Sequence, residues 1–178
     1  MNALIFTWEN FQDHEVIYPY YRLTEETGLV DIVANQVGPV HGIMGTKVVA
    51  TYDYDFFFEQ YKKDNLEEHD FLVLPGGVKA LEKLRQDKRV IDFIRIWDQK
   101  GKIIASICHG AQLLISAKVV KNRLIAGYYS IADDIRNAGA FYTRDPVAID
   151  KNIISSPHYD HMGVWLKTAI KVYNDSLV

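Results

Sequence analysis

Short runs of consecutive apolar residues alternate along this chain with longer segments of helical periodicity. The clearest runs cover residues 3–7, 71–74 and 102–107. A strand is apolar on both faces when helices cover both sides of its sheet, which is the usual situation in parallel sheets. The alternation therefore predicts an α/β fold with a mostly parallel central sheet between two layers of helices.

Local signals divide the chain into elements. Asp13 is a plausible N-cap of the first helix and Gly28 its C-terminal stop. Glycines among β-branched residues predict a hairpin within 37–51, whereas 53–61 fits either a short helix or an irregular cover. The remaining predicted strands are 29–34, 124–126, 140–142 and 152–155, and the predicted helices are 13–27, 78–84, 90–99, 111–119, 132–137 and 161–173.

Composition limits the classes of function. The chain has 178 residues, a 48% hydrophobic fraction and a net charge of −3, with its basic residues scattered along the sequence. These values predict one domain over 1–178 and no nucleic-acid groove. No apolar run approaches membrane-spanning length and no signal-peptide pattern precedes Glu9, so we expect a cytoplasmic protein that does not bind membranes. The one cysteine fits a reducing compartment.

That cysteine, Cys108, lies where a buried strand turns directly into a helix through Cys108-His109-Gly110. Such a bend pushes the side chain out over the sheet edge, as in a nucleophile elbow, and Gly110 removes a side chain that would clash. A helix N-terminus favours the thiolate, so the sequence predicts a lowered pKa for Cys108. The alternative is an inert cysteine of the core.

Two further strand ends carry chemically useful residues. Gly76 and Gly77 follow the strand at 71–74, and with the amide of His109 they could form an oxyanion hole. Glu15 lies in the first turn of the first helix, where it could exchange a proton with the thiol. The alternatives are an ordinary glycine turn and a favourable charge at a helix N-terminus. Ligands bind beyond the carboxyl ends of such strands, so we expect these residues to converge.

Three blocks, at residues 72–77, 105–117 and 131–140, together with 11–20, resemble the PfpI branch of the ThiJ/PfpI superfamily. The resemblance covers nearly the whole chain. It implies a flavodoxin-like three-layer α/β/α sandwich and a homodimer or higher assembly. Members are described as intracellular peptidases, glyoxalases, protein deglycases and stress chaperones, and the superfamily includes glutamine-amidotransferase-like domains.

The resemblance assigns roles to individual residues. Cys108 matches the nucleophile, His109 its neighbour, and Glu15 the acid that contacts the thiol. Gly76 and Gly77 match the oxyanion turn, and Tyr128 falls where relatives have a residue that lines the pocket.

Several positions depart from that pattern. Gln12 stands where relatives have a second Glu, which weakens the glyoxalase and deglycase readings, and Glu82 is one position beyond the acid that reaches a neighbouring subunit. Tyr129-Ser130 replaces a Pro-Gly, and the segment 156–161 differs, which places Gln12 and His158 among the candidate substrate-binding residues at an altered pocket rim.

We therefore predict a cysteine-dependent hydrolase or lyase acting on a small carbonyl, glycated, amide or peptide substrate. The alternative is a redox sensor or stress protein whose Cys108 is oxidised without turnover. Glutamine hydrolysis is disfavoured, because no Glu follows His158 or His161 at the required spacing. His158 and His161 could suit a metal on one helix face, but Pro157 predicts a turn there, so we expect neither metal nor cofactor.

Overall fold

The computed structural model describes residues 1–62 and 69–177. Within these residues the chain alternates between strands and helices as predicted. The strands are β1 (Ala3–Phe6), β2 (Val30–Ala34), β3 (Gly38–His41), β4 (Lys47–Ala50), β5 (Tyr52–Asp53), β6 (Phe71–Leu74), β7 (Ile103–Ile107), β8 (Leu124–Ala126), β9 (Phe141–Thr143), β10 (Ala148–Asp150) and β11 (Ile153–Ser156). The α-helices are α1 (Asp13–Thr27), α2 (Tyr54–Lys62), α3 (Val78–Leu84), α4 (Lys88–Gln99), α5 (Ala111–Ser116), α6 (Ala132–Asn137) and α7 (Met162–Asp175).

Seven strands form the central sheet in the order β10-β11-β7-β6-β1-β2-β5. The pairings among β11, β7, β6, β1, β2 and β5 are parallel, and β10 is an antiparallel edge strand. Every residue of β1, β6 and β7 is buried, because helices cover both faces. This confirms the predicted flavodoxin-like sandwich with a mostly parallel sheet.

Some boundaries differ from the predictions. The hairpin is confirmed as β3 and β4, and the ambiguous segment 53–61 forms most of α2. The strand at 124–126 lies outside the central sheet and pairs with β9, and β10 was not predicted. Helix α5 ends at Ser116, and Lys118 adopts a left-handed conformation two residues later.

The cap of α1 also differs from the prediction. Gln12, not Asp13, is the N-cap, because its side chain accepts the N–H of Glu15. The Asp13 carboxylate instead accepts the N–H groups of Met44 and Thr46, at 2.8 and 2.7 Å, and so fixes the hairpin to α1. Gly28 ends the helix in the left-handed region, as predicted.

The sheet register determines where the functional residues meet. Ala3 pairs with Phe71 and Phe71 with Ile103, so the neighbouring strands β1, β6 and β7 end at the same edge. Residues that follow these strands are therefore brought together across the sheet edge, as expected for this class of fold. In the described part of the chain, no helix combines the length and apolarity needed to cross a bilayer.

Candidate active site

The backbone at Cys108 has the strained conformation that the sequence predicts. Cys108 directly follows β7 and begins a 3-10 turn, Cys108–Gly110, that leads into α5. Its φ angle is 58°, in the left-handed region, which costs a non-glycine residue roughly 1–2 kcal/mol. The side chain is only 6% exposed. Strain of this kind persists where the surrounding fold holds the residue in a functional position.

Gly110 makes this tight turn possible. A Cβ atom at Gly110 would lie 2.1 Å from the carbonyl oxygen of Leu74, at the end of β6. Only a residue without a side chain lets the turn after β7 pass so close to the neighbouring strand. The sequence predicts that a side chain at residue 110 would clash, and the structure confirms it. The group that the side chain would meet is the backbone of β6.

Glu15 is fully buried beside the thiol. Its Oε2 accepts the N–H of Gly76 at 2.6 Å, and the carboxyl group is also in hydrogen-bonding contact with the side chain of Cys108. Within the described residues, the other oxygen, Oε1, has no hydrogen-bond partner of ordinary geometry. Burial raises the pKa of Glu15 to about 7, although the bonds from Gly76 and Cys108 oppose that shift.

The pKa of Cys108 corrects the prediction made from the sequence. Burial, followed by the negative charge of Glu15, raises the pKa of the thiol above its ordinary value. The amide of His109 donates to the sulfur and acts in the opposite direction. The prediction of a lowered pKa was wrong because it counted the helix N-terminus and not the burial and the carboxylate.

The protonation states of the two groups depend on each other. When Glu15 is ionised, its charge disfavours the thiolate; when Glu15 is protonated, that opposing charge is gone and the acid can donate a hydrogen bond to sulfur. Because the pKa of Glu15 is about 7, both states are accessible near neutral pH. The pair can therefore move a proton between carboxyl and sulfur as a substrate reacts.

The raised pKa makes a prediction about stability. Folding shifts the pKa of Glu15 from 4.5 to about 7, so its contribution to stability is complete below pH 4.5 and is lost as the pH rises through 7. The loss should reach about 3 kcal/mol. We expect Glu15→Gln to remove this dependence, so that its free energy of unfolding relative to wild type rises between pH 5 and pH 8, as measured by urea denaturation. The exposed Glu82→Gln is the matched control, and a Glu15→Gln difference that does not vary with pH would contradict the assignment.

The two glycines after β6 support the site in different ways. A Cβ at Gly76 would lie 2.5 Å from Oε2 of Glu15, and the Gly76 N–H is engaged by that same oxygen. Gly76 therefore acts through Glu15, and its amide is not free for a substrate oxygen. Gly77 has a φ of 105°, and a Cβ there would lie 2.6 Å from the nitrogen of Gln12. The oxyanion role stays a prediction for the amide of Gly77, because the amide of His109 donates to the sulfur of Cys108.

Gln12 uses its side chain to hold the first turn of α1. Its Oε1 accepts the N–H of Glu15 at 3.1 Å, and its Nε2 lies 3.1 Å from Nδ1 of His14. Its backbone N–H donates to the carbonyl of Gly76 at 3.3 Å. Gln12, which stands where the resemblance expects a second carboxylate, therefore positions Glu15.

An aromatic rim, formed by His109, Tyr128, His158, Tyr159 and His14, begins at His109 beside the thiol. Nδ1 of His109 lies 3.4 Å from the sulfur of Cys108. The ring centroids of His109 and Tyr128 are 4.8 Å apart, and those of Tyr128 and His158 are 6.0 Å apart. The ring of Tyr159 lies 3.9 Å from that of His158 and 4.9 Å from that of His14. Burial lowers the pKa of His109, so its ring is neutral at neutral pH. At the far end of the rim His14 contacts Gln12, and Gln12 accepts the N–H of Glu15, so a continuous series of contacts runs from His109 to the helix turn that carries Glu15.

The structure thus brings together Cys108, His109, Glu15, Gly76 and Gly77, with Gln12, Tyr128 and His158 at the border. The sequence analysis missed His14 and Tyr159, although the aromatic character of 156–161 pointed to this rim. Glu82 is exposed on α3, and His161 lies in the 3-10 turn before α7. Among residues 1–62 and 69–177, no group of three His, Cys, Asp or Glu side chains could hold a metal ion.

This chain is similar to known proteins over nearly its whole length. The model of the DJ-1/PfpI family matches residues 1–172. The chain is 37% identical to Deglycase PfpI of Pyrococcus furiosus over 97% of its own length and 99% of that protein. It is 30% identical to Protein/nucleic acid deglycase 2 of Escherichia coli, covering 96% of this chain and 95% of the relative.

Solved structures with the same fold are more distant in sequence. Schizosaccharomyces pombe DJ-1 superposes with a TM-score of 0.81 at 19% identity, over 98% of each chain. A two-domain protein of Anabaena variabilis, with DJ-1/ThiJ/PfpI-like and ferritin-like domains, gives a TM-score of 0.87 at 23% identity, over 97% of this chain and 48% of that chain. At these identities the likeness shows the fold.

Proposed function

This chain belongs to the DJ-1/PfpI family, and from that membership we propose that it is a cysteine-dependent deglycase that removes small carbonyl adducts from amines or thiols. The observation that carries the proposal is the buried pair of Glu15 and Cys108, in which the pKa of the carboxyl is about 7. A pair of this kind supplies both a nucleophile and a proton carrier at neutral pH. Two relatives with high coverage are named deglycases.

The proposed reaction can be written for a methylglyoxal adduct, carrier–CH(OH)–CO–CH₃. Glu15 takes the thiol proton as sulfur forms a bond to the carbon that bears the carrier, and the carrier leaves with a proton. Proton transfer between the two adjacent carbons through an enediol converts the resulting hemithioacetal into a lactoyl thioester. Water hydrolyses that thioester, which releases lactate and regenerates the thiol, so the net change is adduct plus water to carrier plus lactate.

The fold supports specific roles in these steps. The amide of Gly77 is proposed to bind the developing oxyanion, while the amide of His109 donates to the sulfur of Cys108. Glu15, held by Gly76 and by the cap of Gln12, carries the protons. His158 and Tyr128 of the aromatic rim are proposed to contact the carrier. No metal or cofactor is required in this scheme.

The alternative, a redox sensor, fits the site less well. A sensor needs an accessible thiol of low pKa, because the thiolate is the form that peroxide oxidises. Cys108 is 6% exposed, and burial and Glu15 raise its pKa. These properties favour a thiol that is activated by proton transfer during a reaction.

We further propose that residues 1–178 act as one domain, in the cytoplasm, as a homodimer or a larger assembly. Large apolar side chains are exposed beside one another at the tip of the β3–β4 hairpin, where Ile43 is 59% and Met44 69% exposed. Exposed apolar side chains of this kind commonly mark an interface between chains.

The test is an assay of adducts that methylglyoxal forms with N-acetylcysteine and Nα-acetyllysine, following release of the free carrier and lactate together. Because Cys108 is the one cysteine of the chain, Cys108→Ala, which removes the thiol, is the matched control. We expect saturable turnover in the wild type and none in the variant. Cleavage of a peptide amide without lactate would replace the proposal with a peptidase, and absence of adduct turnover would overturn it.

A further inference from the structure

A second concave site lies at the opposite edge of the sheet from Cys108. Its position is set by the end of α4, just before β7 begins, and by the turn between β10 and β11. The cavity measures about 430 Å³. We call it the basic cleft, and its lining residues are Arg95, Asp98, Gln99, Lys118, Val119, Lys121, Arg123 and Lys151.

The two arginines of the basic cleft are already paired. Arg123 binds the carboxylate of Asp98 at 2.8 Å, and Asn152 donates to the same carboxylate at 3.1 Å. Arg95 binds Asp92 at 2.7 Å and donates to the carbonyl of Ala117 at 3.1 Å. The negative charge of Asp98 is therefore neutralised within the protein, and these contacts give the cleft a fixed floor.

Three lysines supply the positive charge of the basic cleft that is not paired with a carboxylate. Lys118, Lys121 and Lys151 are exposed, and in the described ranges no carboxylate lies within ion-pair distance of them. Helices α4 and α5 both end nearby, and their C-termini contribute about half a negative charge each. Three cations against about one unit of negative charge leave a net charge of about +2. In a chain with a net charge of −3, this is a local concentration of positive charge.

Two of these lysines occupy positions that ordinarily favour glycine. Lys118 has a φ of 60° and Lys151 a φ of 54°, both in the left-handed region. A non-glycine residue there costs roughly 1–2 kcal/mol. Glycine would relieve that strain, so the ammonium groups of Lys118 and Lys151 can be removed without adding strain to the backbone.

We propose that the basic cleft binds a small phosphorylated anion carrying at least two negative charges. The cavity volume is within the range of small-molecule sites. Arg123 and Arg95 preorganise the floor, while the three lysines supply charge that the protein itself does not neutralise. The cleft is compact and does not form the extended basic stripe that a nucleic-acid strand would follow. This inference is independent of the proposed deglycase activity.

The test compares two triple variants by isothermal titration calorimetry with pyrophosphate. The cleft variant is Lys118→Gly, Lys121→Ala, Lys151→Gly, and the matched control, on exposed helical positions elsewhere, is Lys83→Ala, Lys88→Ala, Lys167→Ala. We expect the cleft variant to weaken binding by about tenfold or more and the control to change it by less than about twofold. Both variants remove three positive charges, so a change in net charge alone would affect them equally.

A second measurement separates a ligand site from cations that only stabilise helix ends. Because two glycines relieve left-handed strain, the cleft variant should unfold in urea at the same or a higher midpoint than wild type. A cleft variant that binds pyrophosphate like wild type would overturn the proposal, as would a wild type that does not bind it at millimolar concentration. Tighter binding, per phosphate, of a short single-stranded oligonucleotide than of pyrophosphate would show that the ligand class is wrong.

Discussion

Replacing Cys108 with serine is expected to lower kcat/KM for adduct removal by a factor on the order of 10³ or more, with little change in fold. Serine has nearly the same volume, but its hydroxyl is far less readily ionised, so the pKa of Glu15, about 7, no longer suits proton transfer from the nucleophile. Release of carrier and lactate would be followed in parallel. Activity of the serine variant within about tenfold of wild type would contradict covalent catalysis by sulfur.

The same position allows a comparison of stability with activity. Cys108→Ala and Cys108→Gly both remove the sulfur, but only alanine keeps the penalty of a side chain at a φ of 58°. We expect the glycine variant to be more stable than the alanine variant by about 1 kcal/mol, measured by urea denaturation, and both to be inactive. This result would show that the strained turn is maintained for the reaction, since a less strained residue would satisfy the fold. Equal stability of the two would contradict the strain.

Gly110→Ala is expected to cause the largest loss of stability. The new Cβ would lie 2.1 Å from the carbonyl oxygen of Leu74, which is backbone of a buried central strand and cannot move aside as a side chain can. Overpacking in a core typically costs 1–3 kcal/mol, and a clash with backbone should reach at least the upper end, about 3 kcal/mol. Chemical denaturation measures this loss, and the thiol of folded Gly110→Ala should also react differently with iodoacetamide, because the turn must shift.

Gly163→Ala is the matched control for that experiment. Gly163 lies in α7, and its nearest neighbour, the hydroxyl of Tyr18, would be 3.9 Å from a new Cβ. Neither glycine has a positive φ, so the two substitutions differ in the space available and not in backbone strain. Gly163 is the second residue of α7, so alanine there should leave stability unchanged or raise it by up to about 1 kcal/mol. If Gly110→Ala is no less stable than Gly163→Ala, β6 can accommodate the extra atom.

The sequence predicted the architecture well because its signals are local. Fully apolar runs predicted β1, β6 and β7, and helical periodicity together with Gly28 gave the bounds of α1, Asp13–Thr27. The sequence was less informative about which strands pair with each other. The segment 124–126 forms a strand as predicted, but its partner is β9 and not the central sheet. A three-residue strand does not indicate which edge it will join.

For the site, the sequence identified the residues and the tertiary structure decided their chemistry. The Cys-His-Gly bend predicted the position and strain of Cys108, and the order of strands predicted that Glu15 and Gly76 would lie near it. The direction of the thiol pKa was wrong, since burial and the distance to a carboxylate are set by residues remote in sequence. The bond from Gly76 to Glu15 and the aromatic rim from His14 to His109 also depend on contacts across the fold.

The basic cleft likewise could not be predicted from the sequence and is formed only by the tertiary structure. In the sequence the basic residues are scattered and predict nothing, because charges far apart along a chain carry no information about their spacing in the fold. Folding brings Arg95, Lys118 and Lys151 to one cavity, since α4, α5 and the β10–β11 turn end at the same edge of the sheet. The sequence alone determined the alternating elements and the strained turn at Cys108, which are properties of neighbouring residues. Only the tertiary structure determined the protonation of the site and the grouping of charge, because both depend on distances between segments that the chain connects only through the sheet.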